Sequence, residues 1–223
     1  MKLYAGLKEI VKTYLGERLV YALDGNIPDD VPVLSHTEIE YLEGDSVSYI
    51  NTGVIGRTGV TIDMHVIFPT VMTGNTYFIG CAKSDTARFY TPWLYNGNRW
   101  SLYIGNSYGK YGNYASKNVV YHIVTEQTTA TQMTMYINDK SEAVNGYTVD
   151  TNYPIYLFGV NNYGTPLIGN SYYTDSTGYI KIQDCKLYVD GELIRDYVAV
   201  ERSNGVKCLY DKVEGKYYEF QTV

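Results

Sequence analysis

Seven consecutive residues, Val60-Thr61-Ile62-Asp63-Met64-His65-Val66, alternate apolar and polar without a break. A period of two puts successive side chains on opposite faces of a pleated strand. Val60, Ile62, Met64, Val66 and Phe68 therefore share one face, and Thr61, Asp63 and His65 point the other way. Strand signals of this kind follow one another from about residue 37. Val119–Val124 and Met133–Ile137 read as neighbouring strands joined by the polar stretch Thr125–Thr131, with a turn at Asn138-Asp139-Lys140. Ile155–Val160 is an almost continuous apolar run, as a central strand is. Gly178–Val189 is a long strand whose inward phase slips between Ile182 and Cys185, the mark of a bulge. Asp190-Gly191 turns it into Leu193–Val200, a strong hairpin signal. Asn204-Gly205 and Glu214-Gly215 mark later turns, with Lys207–Asp211 and Lys216–Phe220 as the last strand pair. Many short strands with turn signals between them predict a two-layer sandwich or a barrel.

The first residues differ. Leu3, Leu7, Ile10, Val11 and Tyr14 have helical spacing, yet Leu15-Gly16-Glu17 also fits a turn between strands Ile10–Tyr14 and Arg18–Leu23. The hairpin is the favoured alternative. Asp24-Gly25-Asn26-Ile27-Pro28-Asp29-Asp30-Val31-Pro32 reads as linker, so residues 24–36 separate a small element over 1–23 from a domain over 37–223.

Composition sharpens this picture. The chain has 26 Tyr against 5 Phe in 223 residues. A buried phenol must find a hydrogen-bond partner, so this excess points to surfaces that are part apolar and part wet: strand faces, subunit contacts or stacking platforms. With 45% hydrophobic and 19% charged residues the chain can bury a core. The net charge of -6 carries no basic stripe, which argues against nucleic acid. No apolar run approaches the roughly 18 residues of a membrane helix. The start, Met1-Lys2-Leu3-Tyr4-Ala5-Gly6-Leu7-Lys8-Glu9, does not read as a signal peptide. Cys81, Cys185 and Cys208 have no metal-type spacing and are expected to be buried free thiols.

Two stretches carry a resemblance. One is Tyr41-Leu42-Glu43-Gly44-Asp45-Ser46-Val47-Ser48-Tyr49-Ile50-Asn51-Thr52-Gly53-Val54, ahead of the alternating strand. The other runs from Ile182 through Tyr188-Val189-Asp190-Gly191 and Ile194-Arg195-Asp196-Tyr197 to Leu209-Tyr210-Asp211-Lys212-Val213 and Lys216-Tyr217-Tyr218. Together they resemble the concanavalin A-like, laminin-G-like jelly-roll domains of bacteriophage tail and fibre proteins and of gut-bacterial surface proteins. Asn51 stands where that pattern has Asp, and Ala199 where it often has Pro. The resemblance implies an all-β, lectin-like jelly-roll β-sandwich over residues 37–223. It also implies a tail, fibre or head-fibre role in a virion, homotrimeric assembly, and docking to other virion proteins through residues 1–23. No cofactor is expected.

The candidate chemistry is recognition. Polysaccharide hydrolases need two carboxylates flanking the scissile bond. The strand carrying Asp63 has one, and Glu38-Ile39-Glu40 precedes the matched region, so catalysis is not expected. His36, His65 and His122 are scattered and read as surface or hydrogen-bonded residues. The stretch Tyr90–Tyr114 holds Trp93, Tyr95, Asn96, Asn98, Trp100, Tyr103, Asn106 and Tyr108. Aromatic rings stack on pyranose faces and amides grip hydroxyls, so a host-surface glycan is the expected partner, met on loops and strand ends. The competing reading puts Trp93 and Trp100 in the core beside an Asn96-Gly97 turn, with the tyrosines at an oligomer contact. Asn161, Asn162, Tyr163, Tyr172 and Asp175 form a second candidate cluster, whose oxygens could also hold calcium.

Overall fold

The computed structural model describes residues 3–5, 8–15, 18–23, 36–45, 47–70, 75–95, 98–129, 131–138, 140–145, 148–168 and 180–223. The alternating segment forms the strand Val60–Ile67, with Val60, Ile62, Met64 and Val66 fully buried. It lies inside an antiparallel sheet ordered Lys140–Asn145, Gln132–Ile137, Val120–Thr129, Val60–Ile67, Lys181–Val189, Glu192–Arg202, Lys207–Asp211 and Lys216–Tyr218. His36–Glu38 and Leu42–Glu43 add to Glu192–Arg202 and Lys181–Val189. The second sheet is ordered Ser107–Tyr114, Arg99–Gly105, Ala87–Tyr95, Ile79–Ser84, Asp150–Leu157, Ser48–Arg57 and Gln221–Thr222. Thr76–Tyr77 adds to Ala87–Tyr95, and a short hairpin, Val160–Asn162 with Thr165–Leu167, adds to Ile79–Ser84.

The chain is an all-β jelly-roll sandwich. Its core is continuous. Ile62, Met64, Val66, Ile123, Met135 and Leu187 of the first sheet meet Ile50, Phe89, Trp100, Leu102 and Leu157 of the second. Each such side chain contributes about 1.5–3 kcal/mol through its removal from water. Packing is tight at Gly56, where a Cβ would lie 2.1 Å from the Cys81 sulfur, so only glycine fits.

The bulge expected near Ile182 is present as a register shift between Ile182 and Asp184, and Asp190-Gly191 closes its hairpin in two left-handed residues. Two expectations change. The Ile155–Val160 run is not one strand: Phe158 adopts φ 64°, which ends Asp150–Leu157 and buries its ring against Phe220, 4.9 Å between centroids. Thr125–Thr129 is strand rather than connection, because Thr125, Glu126 and Gln127 pair with Met135, Thr134 and Met133. Leu3–Ala5, Lys8–Leu15 and Arg18–Leu23 form their own three-stranded antiparallel sheet.

The two matched stretches are joined by a buried polar knot. Asp211 is fully buried, and its Oδ1 accepts the backbone N–H groups of Asp196 at 2.9 Å and Val213 at 3.0 Å. Arg195 places Nε 3.5 Å from Asp211 Oδ2 and Nη1 2.8 Å from Glu214 Oε1. Its Nε–H donates across to the carbonyl of Thr52 on the second sheet. The Tyr218 hydroxyl donates to Glu214 at 2.8 Å; this bond first, with Lys216 and Arg195 adding to it, holds the Glu214 carboxyl below the ordinary carboxylate range.

Removing the guanidinium takes the nearest cation from the buried Asp211 carboxyl and leaves only the two backbone N–H groups on Oδ1. Arg195→Ala is expected to cost about 3–5 kcal/mol in denaturant unfolding. A depressed folded-state pKa stabilises above the unfolded value, and the contribution fades as pH falls through the folded one. Glu214→Gln is therefore expected to lower stability at neutral pH and to flatten its decline on acidification below about pH 5, read from Tm against pH.

Candidate functional site

Arg99–Gly105 sends Trp100, Leu102 and Ile104 inward, so the alternating Arg99, Ser101 and Tyr103 face out. The register sets Trp93 opposite Ser101, Tyr95 opposite Arg99, and Tyr103 opposite Tyr108. On this outer face Tyr77 stacks on Trp93, 4.8 Å between centroids at 13°, and Tyr95 meets the same indole edge-on at 5.7 Å. Ala82, Val160 and Leu167 close around Trp93, forming a small apolar cluster outside the main core. Trp93 is left only 3% exposed, while Tyr77, Tyr95 and Tyr103 are half-buried around it. Arg88 lies 4.8 Å over the Tyr103 ring and Arg99 5.7 Å over that of Tyr114.

The second sequence cluster arrives at the same face. Asn161 and Asn162 pair in parallel with Cys81 and Ala82, which places Tyr163 at the turn of the short hairpin. The Tyr163 hydroxyl donates to Asp85 Oδ1 at 2.6 Å, and Arg88 donates to that oxygen too. The Tyr163 bond and then Arg88 hold the Asp85 carboxyl below the ordinary range. Asn161 is buried and braces the turn, accepting from Gly164 N–H at 2.9 Å and donating to Pro154 O at 3.3 Å.

Of the sequence candidates, Trp93, Tyr95, Tyr103, Asn161, Asn162 and Tyr163 thus come together. Trp100 does not. It is fully buried, packed edge-on to Phe68 at 5.6 Å and Tyr121 at 5.2 Å, and presents no face to a ligand. The two tryptophans fall on opposite faces because the hairpin register pairs Trp100 with Leu94, the residue next to Trp93. Asn98 is a turn brace, its amide donating to Ala115 O at 3.0 Å. Asn106 is exposed in the turn before Ser107–Tyr114, and Tyr108 is placed by its backbone alone. Asn96, Tyr172 and Asp175 lie outside the described residues. The site sits on strand faces rather than the loops and strand ends expected for Tyr90–Tyr114. Tyr77, Asp85 and Arg88 were missed: they precede the stretch 90–114, Tyr77 arriving by pairing with Trp93 and Asp85 and Arg88 from the turn and strand start just ahead of it.

The outer face of the first sheet carries a separate polar group. His65 Nδ1 bonds Asp184 at 2.8 Å, His122 Nε2 bonds Asp63 at 2.8 Å, and the imidazoles stack at 4.5 Å. The three thiols are free and buried; burial pushes Cys81 up to about 12 and Cys208 to about 11.

No family model and no curated protein matches the chain. Among solved structures, a candidate carbohydrate binding protein from Bacteroides ovatus superposes with a TM-score of 0.50 at 11% identity, over 84% of this chain and 61% of that one. The binding domain of Paraclostridial Mosquitocidal Protein 1 gives 0.44 at 12% identity, over 91% and 62%. Trypanosoma rangeli sialidase in complex with sialic acid gives 0.47 at 12%, over 72% and 27%. The chain spans less than two thirds of the length of each. At such identities the likeness is one of fold, a β-sandwich of the kind found in carbohydrate-binding proteins.

The two aromatic settings separate by mutation. Trp100→Ala is expected to cost about 3–5 kcal/mol by cavity formation. Tyr103→Ala, on the outer face, is expected to cost no more than about 1 kcal/mol in the same denaturation experiment.

Proposed function

We propose that this chain is a non-enzymatic virion component of a bacteriophage whose sandwich binds host-surface carbohydrate through the outer face of the second sheet. The observation that carries the binding role is the set of half-buried rings Tyr77, Tyr95 and Tyr103 around Trp93, in a small cluster separate from the main core. Half-buried phenols held by a stacked indole are rigid, amphipathic surfaces of the sort that sugars stack on. The shared fold with a candidate carbohydrate binding protein fits this role. The virion role rests on the resemblance of residues 41–54 and 182–218 to phage tail and fibre domains. On the same basis the chain assembles as a homotrimer and docks to other virion proteins through residues 1–23.

The test is retention of the labelled protein by encapsulated bacteria and by their capsule-free counterparts. Capsule-dependent retention, lost in a folded Tyr95→Ala/Tyr103→Ala variant, is the expected result. Equal retention, or none by a folded oligomer, leaves a purely structural virion role.

A second reading, polysaccharide hydrolysis, draws on Asp63 and Asp184 with His65 and His122 on the other sheet. Each carboxylate there is occupied by an imidazole. No release of reducing sugar from any polysaccharide that binds is expected. Release abolished by Asp63→Asn/Asp184→Asn would establish the enzyme instead.

A further inference from the structure

Six non-glycine residues among those described have a left-handed backbone. Four are Asn or Asp, which tolerate it: Asn118, Asn138, Asn152 and Asp190. Phe158 offsets the strain by burying its ring. Tyr163 has no such return. It sits at φ 56° ahead of Gly164 at φ 86°, a hairpin turn in which Asn or Gly is favoured at both places. The residue is 42% exposed. A bulky residue forced into this region without burial is an outlier from which function can be argued.

The surroundings fix the ring in place. Asn161 braces the turn from below, Tyr163 N–H donates to Ala82 O at 3.0 Å, and the hydroxyl is pinned to Asp85. Both donors to Asp85 meet Oδ1; Oδ2 takes neither. The Asp85 side chain is 80% exposed. The Arg88 charge is matched by Asp85, and its guanidinium covers Tyr103.

We infer that Tyr163 and Asp85 form the specificity corner of the aromatic face and select a neutral glycan, the tyrosine ring packing on a sugar and Asp85 Oδ2 accepting a hydroxyl. This rests on the carbohydrate-binding reading above. Paired with each other, Arg88 and Asp85 offer an acidic sugar no unmatched cation, while the outward Oδ2 accepts hydroxyl donors. Since no net charge is recognised, binding is insensitive to ionic strength.

The experiment uses the full chain against dextran, galactomannan and alginate at low and high salt, with Tm measured on every variant. Binding to at least one neutral polymer, salt-independent and absent for alginate, is expected. Tyr163→Asn should weaken it by roughly tenfold or more while Tm stays equal or rises, since Asn suits the turn better. Asp85→Asn should weaken it with the fold intact. A lowered Tm in Tyr163→Asn makes the tyrosine a structural tie and overturns the inference, as does neutral-glycan binding that ignores both substitutions. Binding to alginate alone overturns the neutral selection and keeps the carbohydrate reading. Binding to none of the three, together with no capsule-dependent retention, removes both.

Discussion

Arg195 is where the sandwich closes. One guanidinium faces a fully buried carboxylate in the closing hairpin, a second carboxylate at that hairpin's turn, and a main-chain carbonyl of the opposite sheet. A sandwich held by hydrophobic contact alone leaves the sliding of one layer over the other weakly specified. A buried charge has a directional requirement, and here it can be met only when Thr52 and Asp211 are both in place. Residues 41–54 and 182–218 thus meet in one polar knot. The Tyr197 hydroxyl reaches the same Thr52 carbonyl at 3.4 Å, reinforcing the contact from within the core.

With the layers fixed, the outer faces are free to differ, and they do. The first sheet turns imidazoles and carboxylates outward, paired strand to strand in the way polar residues commonly stitch an exposed sheet face. The second turns aromatic rings outward. Its short hairpin folds over that face, so the aromatic cluster is shielded on one side by Val160 and Leu167 and opens on the side of Tyr95 and Tyr103. The hairpin also brings the strained Tyr163 to the rim. Sheet, hairpin and corner thus form a single construction, and the parallel pairing of Asn161 and Asn162 with Cys81 and Ala82 is the contact that makes it one.

Legibility followed the physics of each feature. The strand Val60–Ile67, the bulge at Ile182 and the turn at Asp190-Gly191 were readable because period and turn chemistry are local. The inward and outward tryptophans were not, since their facing depends on the register of the hairpin between them, which pairs Trp100 with Leu94 and which no residue type announces. The break at Phe158 was hidden because a left-handed phenylalanine violates local preference and is sustained only by tertiary packing. The site was half legible: residue types in 90–114 and 161–163 pointed to it, but its charged partners Asp85 and Arg88 come from a turn with no signal of its own. The contact between the two clusters is long-range, and alternation cannot report it.

Among the described tyrosines, two groups have different physical causes. One is structural, with rings in or beside the core and hydroxyls tied to fixed partners: Tyr121 accepts from Ser116 N–H at 2.7 Å, Tyr218 donates to Glu214, and Tyr197 to Thr52. Phenylalanine would bury as much area there but would leave those backbone and carboxylate groups without a bond. The other population stands outside the core on the second sheet, where Tyr77, Tyr95 and Tyr103 gather around Trp93 and Tyr163 holds the rim. These rings leave part of their surface in water while packing on a small cluster separate from the main core.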